Sequence, residues 1–331
     1  MHLLFPIGLS KTTFAILADF TISANQSIII YSILRRVIMT VTSQTIVLTL
    51  ISALMAVPAF FMFNKMPEAW LQDYDFDPNA ENVRWAKRLK PYHIAIFAVI
   101  YAVLVFISSA VYPEFLCFST YLRVIGLFVA IPGFTVIIMS DKLNRIIPDH
   151  IIVLNIILSV FYFISDFVDG NLWIDAAKPW YHFILNRLVA AIVGSGALLL
   201  IGLLSSAIAK TEAMGMGDVK LLFLCGLLSG LKGLIFVVFI AFVSAGIVAV
   251  PMLIRKRMRI AKEEKEIRES PDPAKARKIL AKKKREMHFA DDPDYLAFGP
   301  FLVLGTVLFL LYEPYFLELF EKYFGQISGA L

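Results

Sequence analysis

The 331-residue sequence predicts an all-α, polytopic membrane protein with about eight transmembrane helices, and three observations lead there. Apolar residues make up 59% of the chain and charged residues 17%, against roughly 25% charged in soluble globular domains. Long intervals carry no charge, and a bilayer core needs about 20 apolar residues per helix. The formal net charge of +5 is unevenly spread: residues 255–285 hold fourteen Lys/Arg and five Asp/Glu, a local net of +9, which leaves −4 for the rest. Together these exclude a soluble cytosolic enzyme and a disordered chain. The two cysteines, Cys117 and Cys225, lie in apolar runs, which excludes a disulfide framework and a Cys-rich zinc site.

In chain order, residues 1–36 read as an uncertain N-terminal extension, because 20–34 is too rich in Thr, Ser, Asn and Gln for a span. Arg35 and Arg36 precede the first apolar interval and Met39 follows them, so residues 1–38 are expected to be an upstream start-codon artefact, which N-terminal sequencing tests. Met1–Lys11 lacks the pattern of a signal peptide. Charge-free intervals then predict spans at 37–64, 91–113, 188–209 and 233–254. The interval 116–140 contains only Arg123, and 295–312 begins just after Asp294. Two shorter segments, 150–165 and 218–231, complete the eight. This divides the chain into two N-terminal spans (37–115) with a loop at 65–90, a six-span core (116–254 and 295–331), and an insertion at 255–294.

Orientation follows from Lys and Arg, which are enriched in short cytoplasmic loops. With the basic segment inside, the segments 65–90, 141–149, 209–220 and 255–294 share that side and hold twenty-three of the thirty-one basic residues. The outer side holds Lys178 and Lys322, with Lys232 in a tight outer turn. The 255–285 segment reads as a solvated helical hairpin broken near Ser270–Pro273 and held near anionic lipid headgroups. It contains no aromatic residue, which argues against nucleic acid.

Ionisable residues at span ends are costly and therefore functional candidates. Asp141 ends one span, in Ser140-Asp-Lys-Leu-Asn-Arg-Ile-Ile-Pro148-Asp149, and Asp218 opens another, in Gly215-Met-Gly217-Asp218-Val-Lys220. The topology puts both on the cytoplasmic side at similar depth. Two carboxylates sharing one proton suit aspartic-type proteolysis: one activates water and the other polarises the scissile carbonyl, without a metal, a cofactor or a nucleophilic side chain. Gly215 and Gly217 would let backbone approach closely. His93 suits the membrane interface, and Arg187 reads as a snorkelling side chain near the outer end of its span.

Three strings in order resemble type IV prepilin peptidases, of the Gly-x-Gly-Asp class of membrane aspartic peptidases related to preflagellin peptidases. They are Asp141 followed by Pro148-Asp149, Gly215-Met-Gly217-Asp218-Val-Lys220-Leu221, and Phe298-Gly299-Pro300. The resemblance covers about residues 117–315 and implies cleavage of short basic leaders from prepilin or pseudopilin substrates at the cytoplasmic face of the cell membrane. It implies Asp141 and Asp218 as the catalytic pair. Asp149 is then expected to cap the helix starting at Pro148, Lys220 to form a salt bridge with an acidic neighbour, and Gly299 and Pro300 to be architectural. Many bacterial members carry two Cys-x-x-Cys pairs in the loop after the first span, associated with N-methylation. Here 65–90 has no cysteine and instead contains Asp73-Tyr-Asp75-Phe-Asp77, so methyltransferase activity is not expected. Other readings are a proton-coupled transporter using the two aspartates as a relay, a presenilin-type peptidase, disfavoured because Ser140 rather than Tyr precedes Asp141, and a non-catalytic scaffold.

Overall fold

The computed structural model describes residues 43–72, 79, 84–111, 118–160, 163–164, 181–209, 215–286 and 294–328. The start-site expectation for residues 1–38, Cys117, and the acidic stretch Asp73 to Asp77 lie outside the described residues. Among those described the chain is all helical, without strands. The helices are α1 (Ser43–Leu54), α2 (Ala56–Asn64), α3 (Tyr92–Val111), α4 (Phe118–Asn144), α5 (Asp149–Leu158), α6 (Tyr181–Ala209), α7 (Met216–Glu269), α8 (Pro273–Glu286), α9 (Gly299–Leu311) and α10 (Glu313–Ser328). A single 3₁₀ turn, Glu68–Trp70, lies in the loop between α2 and α3.

The bundle forms around α4 and α7. In α4 the stretch Gly126–Asn144 is 78% buried, against 22% for Thr45–Asn64, so α4 is the internal helix and α1–α2 present a lipid-suited face. Phe134, Val136 and Ile137 of α4 are fully enclosed. Along α7 the partners are α6 and α9. A methyl at Gly226 would lie 2.6 Å from the Ala191 backbone, so this contact brings α6 and α7 together backbone to backbone. The outward faces carry Ile192, Leu203, Phe239 and Ile247, all exposed, as a helix bathed in hydrocarbon requires.

Helix α7 is not continuous. Gly230 has φ 66° and ψ 179°, a conformation essentially restricted to glycine, and it separates a short first half from a long second half. This break falls at the turn expected between spans 218–231 and 233–254. Arg187 supports it. The side chain does not snorkel outward as expected; it is buried, and donates to Leu227 O at 3.0 Å and to Leu228 O. These are carbonyls that the broken helix leaves without intrahelical donors.

The eight spans are not reached among the described residues. Four helices there are long and apolar enough to cross a membrane, or five if the bent pair α9–α10 counts as one. Two expected spans share α7, on either side of the break at Gly230, and the expected span 150–165 begins with α5 and runs on into residues that are only partly described. After Tyr312 the chain bends by 91° into α10. The second half of α7 runs on past Ile254 through the basic segment to Glu269, and a break at Ser270 leads into α8. Asp294 receives Arg259 and, at 3.8 Å, Lys256, tying this extension to the start of α9.

Candidate active site

One end of the bundle gathers the C-terminal turn of α4 and the first turns of α5, α7 and α9. The three sequence strings therefore meet there. Asp141 lies in the last turn of α4 and is buried, with 6% of its surface exposed. Its Oδ2 accepts the Gly299 N–H at 2.9 Å, from the first turn of α9 where free amides point outward. Pro300 occupies the helix start, where its missing N–H costs nothing. A methyl on Gly299 would sit 2.7 Å from Asp141 Oδ2 and 3.1 Å from Ile147 Cδ1. A side chain at 299 would therefore displace the Asp141 carboxylate or Ile147.

Asp218 lies in the first turn of α7, whose N-cap is Gly215 in extended conformation. The position of Asp218 near the positive end of the helix suits a carboxylate. Its Oδ1 is buried and finds no hydrogen-bond partner among the described residues. Asp218 and Asp141 are close enough to interact electrostatically. Ile147 joins the two helices sterically: a methyl on Gly217 would be 3.1 Å from Ile147 Cβ, on the same side chain that faces Gly299. Gly215 is different, since a methyl there would meet only Asp218 Oδ2, at 4.0 Å. Close packing thus accounts for Gly217 and not for Gly215.

Lys220 Nζ donates to both oxygens of Asp149, at 2.8 and 2.7 Å. Pro148 occupies the N-cap position of α5, and Asp149 stands in its first turn with its carboxylate on Lys220. The pair ties α5 to α7, two residues along α7 from Asp218.

Four neighbours were not signalled by any motif spacing. Arg145 ends α4 with φ 62°, its N–H donating to Asp141 O at 3.0 Å. Its guanidinium donates to Tyr295 O at 2.9 Å and lies over the Tyr295 ring, 5.1 Å from the centroid. Tyr295 precedes α9. Burial, then the charges of Asp218 and Asp141, push its phenol above the ordinary value, while Arg145 opposes them. Ile147 and the buried Asn144 complete the set. The positions of Asn144 and Arg145, three and four residues after Asp141 at the end of an apolar helix, were the signal available for them.

Among the described residues no group of three or more His, Cys, Asp or Glu is arranged to hold a metal ion.

Residues 128–250 match the type IV leader peptidase family. The matched stretch contains Asp141, Pro148, Asp149, Gly215, Gly217, Asp218 and Lys220 and ends before Gly299. The match covers 123 of the 331 residues and marks that stretch as similar to leader peptidases of this family. The apolar helices agree with a multi-pass membrane protein. No curated protein and no solved structure matches the chain.

Proposed function

We propose that the protein is a membrane aspartic endopeptidase that cleaves short basic leaders from prepilin-like proteins at the cytoplasmic face, with Asp141 and Asp218 as its catalytic pair. The observation that supports this most is the meeting of two carboxylates, distant in sequence, at the same end of the bundle and in each other's field. The dyad shares one proton. Asp141, already an acceptor for the Gly299 N–H, takes the proton of a water as that water attacks the scissile carbonyl carbon. Asp218, carrying the shared proton, donates a hydrogen bond to the carbonyl oxygen. The tetrahedral adduct collapses as a proton passes to the leaving nitrogen and the C–N bond breaks.

The core is read as 116–254 with 295–331, and the face follows from charge. Arg259, Lys256 and Arg145 all lie at the aspartate end, where the long extension of α7 leaves the bundle. Basic loops favour the cytoplasm. The extension and α8 form the surface read as lying near anionic headgroups. Because 65–90 contains no cysteine, the activity is read as peptidase alone.

Asp141→Asn and Asp218→Asn, made singly, are expected to abolish leader cleavage of a co-expressed prepilin while inserting normally. Full processing by either variant rejects the dyad. Loss of proton-driven uptake with cleavage intact would favour the transporter reading.

A further inference from the structure

We propose that the cysteine-free stretches 64–72 and 84–90 form a positioning clamp for the peptidase site, in which a Glu68-centred hydrogen-bond network holds the C-terminal turn of α4 and so sets where Asp141 lies. The proposal rests on Asp141 and Asp218 being the catalytic pair.

The clamp is built from the inside outward. Glu68 opens the 3₁₀ turn and collects three donors: Gln72 Nε2 at 2.8 Å, the Ala86 N–H, and Arg88 Nη2 at 2.7 Å. Arg88 also donates to Phe63 O and Met66 O, at 3.1 and 2.8 Å, satisfying carbonyls at the end of α2. Gln72 donates further to Arg84 O at 2.7 Å. Asn64 and Leu89 close the base with reciprocal bonds of 3.0 and 2.9 Å between side-chain amide and backbone. Apolar Leu71, Ala86 and Leu89 are buried beneath. Two strands of loop are thereby fastened to each other around one carboxylate.

The outer side of this unit grips the Asp141 turn. Asn144, fully buried, accepts the Lys87 N–H at 2.8 Å and donates to Lys87 O at 3.3 Å. Arg84 donates to Leu143 O at 3.3 Å. Trp70 stacks on His150, with ring centroids 3.8 Å apart and planes within 6°. Asn144 is three residues from Asp141 and therefore one turn away on the same side of α4. The contacts at 143 and 144 and the one at 150 bracket Arg145, Ile147 and Asp149, and the first of them lies two residues after Asp141, in the same last turn of α4. Displacing a reacting group by about 1 Å costs on the order of a hundred-fold in rate. A helix end is the part most prone to fray, so holding it fixes the geometry of the dyad.

The test measures cleavage of a prepilin-type substrate by the full-length protein in liposomes, for Glu68→Ala, Glu68→Gln and Asn144→Ala. Glu68→Ala and Asn144→Ala are expected to lower kcat by about ten- to hundred-fold with KM unchanged. Glu68→Gln keeps an acceptor for the Ala86 N–H but loses the charge facing Arg88, and is expected to fall between. Amide exchange across 141–147 rises in Glu68→Ala, although Glu68 touches none of those residues. Should Glu68→Ala fail to insert, Trp70→Ala removes the stack on exposed His150 and serves the same comparison. Unchanged kcat with unchanged exchange at 141–147 overturns the clamp, as does a raised KM at constant kcat, which would make the segment a substrate-binding surface. Processing by Asp218→Asn at the normal rate would instead overturn the dyad on which the clamp rests.

Discussion

At Gly299 one methyl group separates a bonded from a displaced Asp141. An added Cβ would lie 2.7 Å from Asp141 Oδ2, closer than real contacts allow, so either the carboxylate rotates away or α9 shifts. Gly299→Ala is therefore expected to cut kcat by about a hundred-fold while the protein inserts and folds, as read by cleavage kinetics beside thermal unfolding. Equal rates would mean that the hydrogen bond from Gly299 does not hold the aspartate. Asp149 makes the contrasting case. Its ion pair with Lys220 leaves both side chains nearly half exposed, and exposed pairs contribute at most about 1 kcal/mol. Asp149→Asn is expected to reduce cleavage far less than Asp141→Asn; comparable loss would place Asp149 in the dyad.

Among the elements, the break in α7 and the 64–90 segment rest on single polar residues placed where helices end. Arg187 covers two carbonyls that Gly230 frees inside the bundle. Arg187→Ala leaves them unsatisfied in an apolar setting, at a cost of about 1–3 kcal/mol, readable as a lowered thermal midpoint in micelles. The same stability as wild type would show that water reaches the break. In the loop, burial alone would raise the Glu68 carboxyl, but the Ala86 N–H, Gln72 and Arg88 together hold it below its ordinary value of 4.5. A depressed folded value means that Glu68 contributes stability above the unfolded value, and that this is lost as pH falls below about 4.5 through the folded value. Amide exchange in 84–90 is expected to accelerate across that window, and Glu68→Gln to flatten the response. Neither device was legible beforehand. Gly230 and Arg187 are ordinary residues of apolar runs, and the partners of Glu68 and Asn144 come from segments far away in sequence, which spacing cannot reveal.

For the whole molecule, charge made the site legible before any contact was known. Apolar intervals and basic loops put Asp141 and Asp218 at one depth, and the helices carrying them do meet at one end of the bundle. The count of spans was less legible, since charge-free intervals measure composition and not helix length: among the described residues four or five helices qualify, and two of the expected spans share α7 across the break at Gly230. The basic segment connects both levels. Its helix leaves the bundle at the aspartate end, held by Arg259 and Lys256 on Asp294, whereas Gly230 and Lys232 lie at the opposite end. A membrane-impermeant thiol reagent can therefore read orientation. Cys225 is buried and stays silent, and Cys117 is replaced by Ala in the starting protein. Lys262 is well exposed on the extension, so Lys262→Cys is expected to label only from the cytoplasmic side and Lys232→Cys only from the opposite side. Labelling of Lys262→Cys from outside would put Asp141 and Asp218 on the face away from the cytoplasm, where the proposed prepilin-like substrates would present their leaders. The proposed cleavage would then lack access to its substrate, whatever the geometry of the two carboxylates.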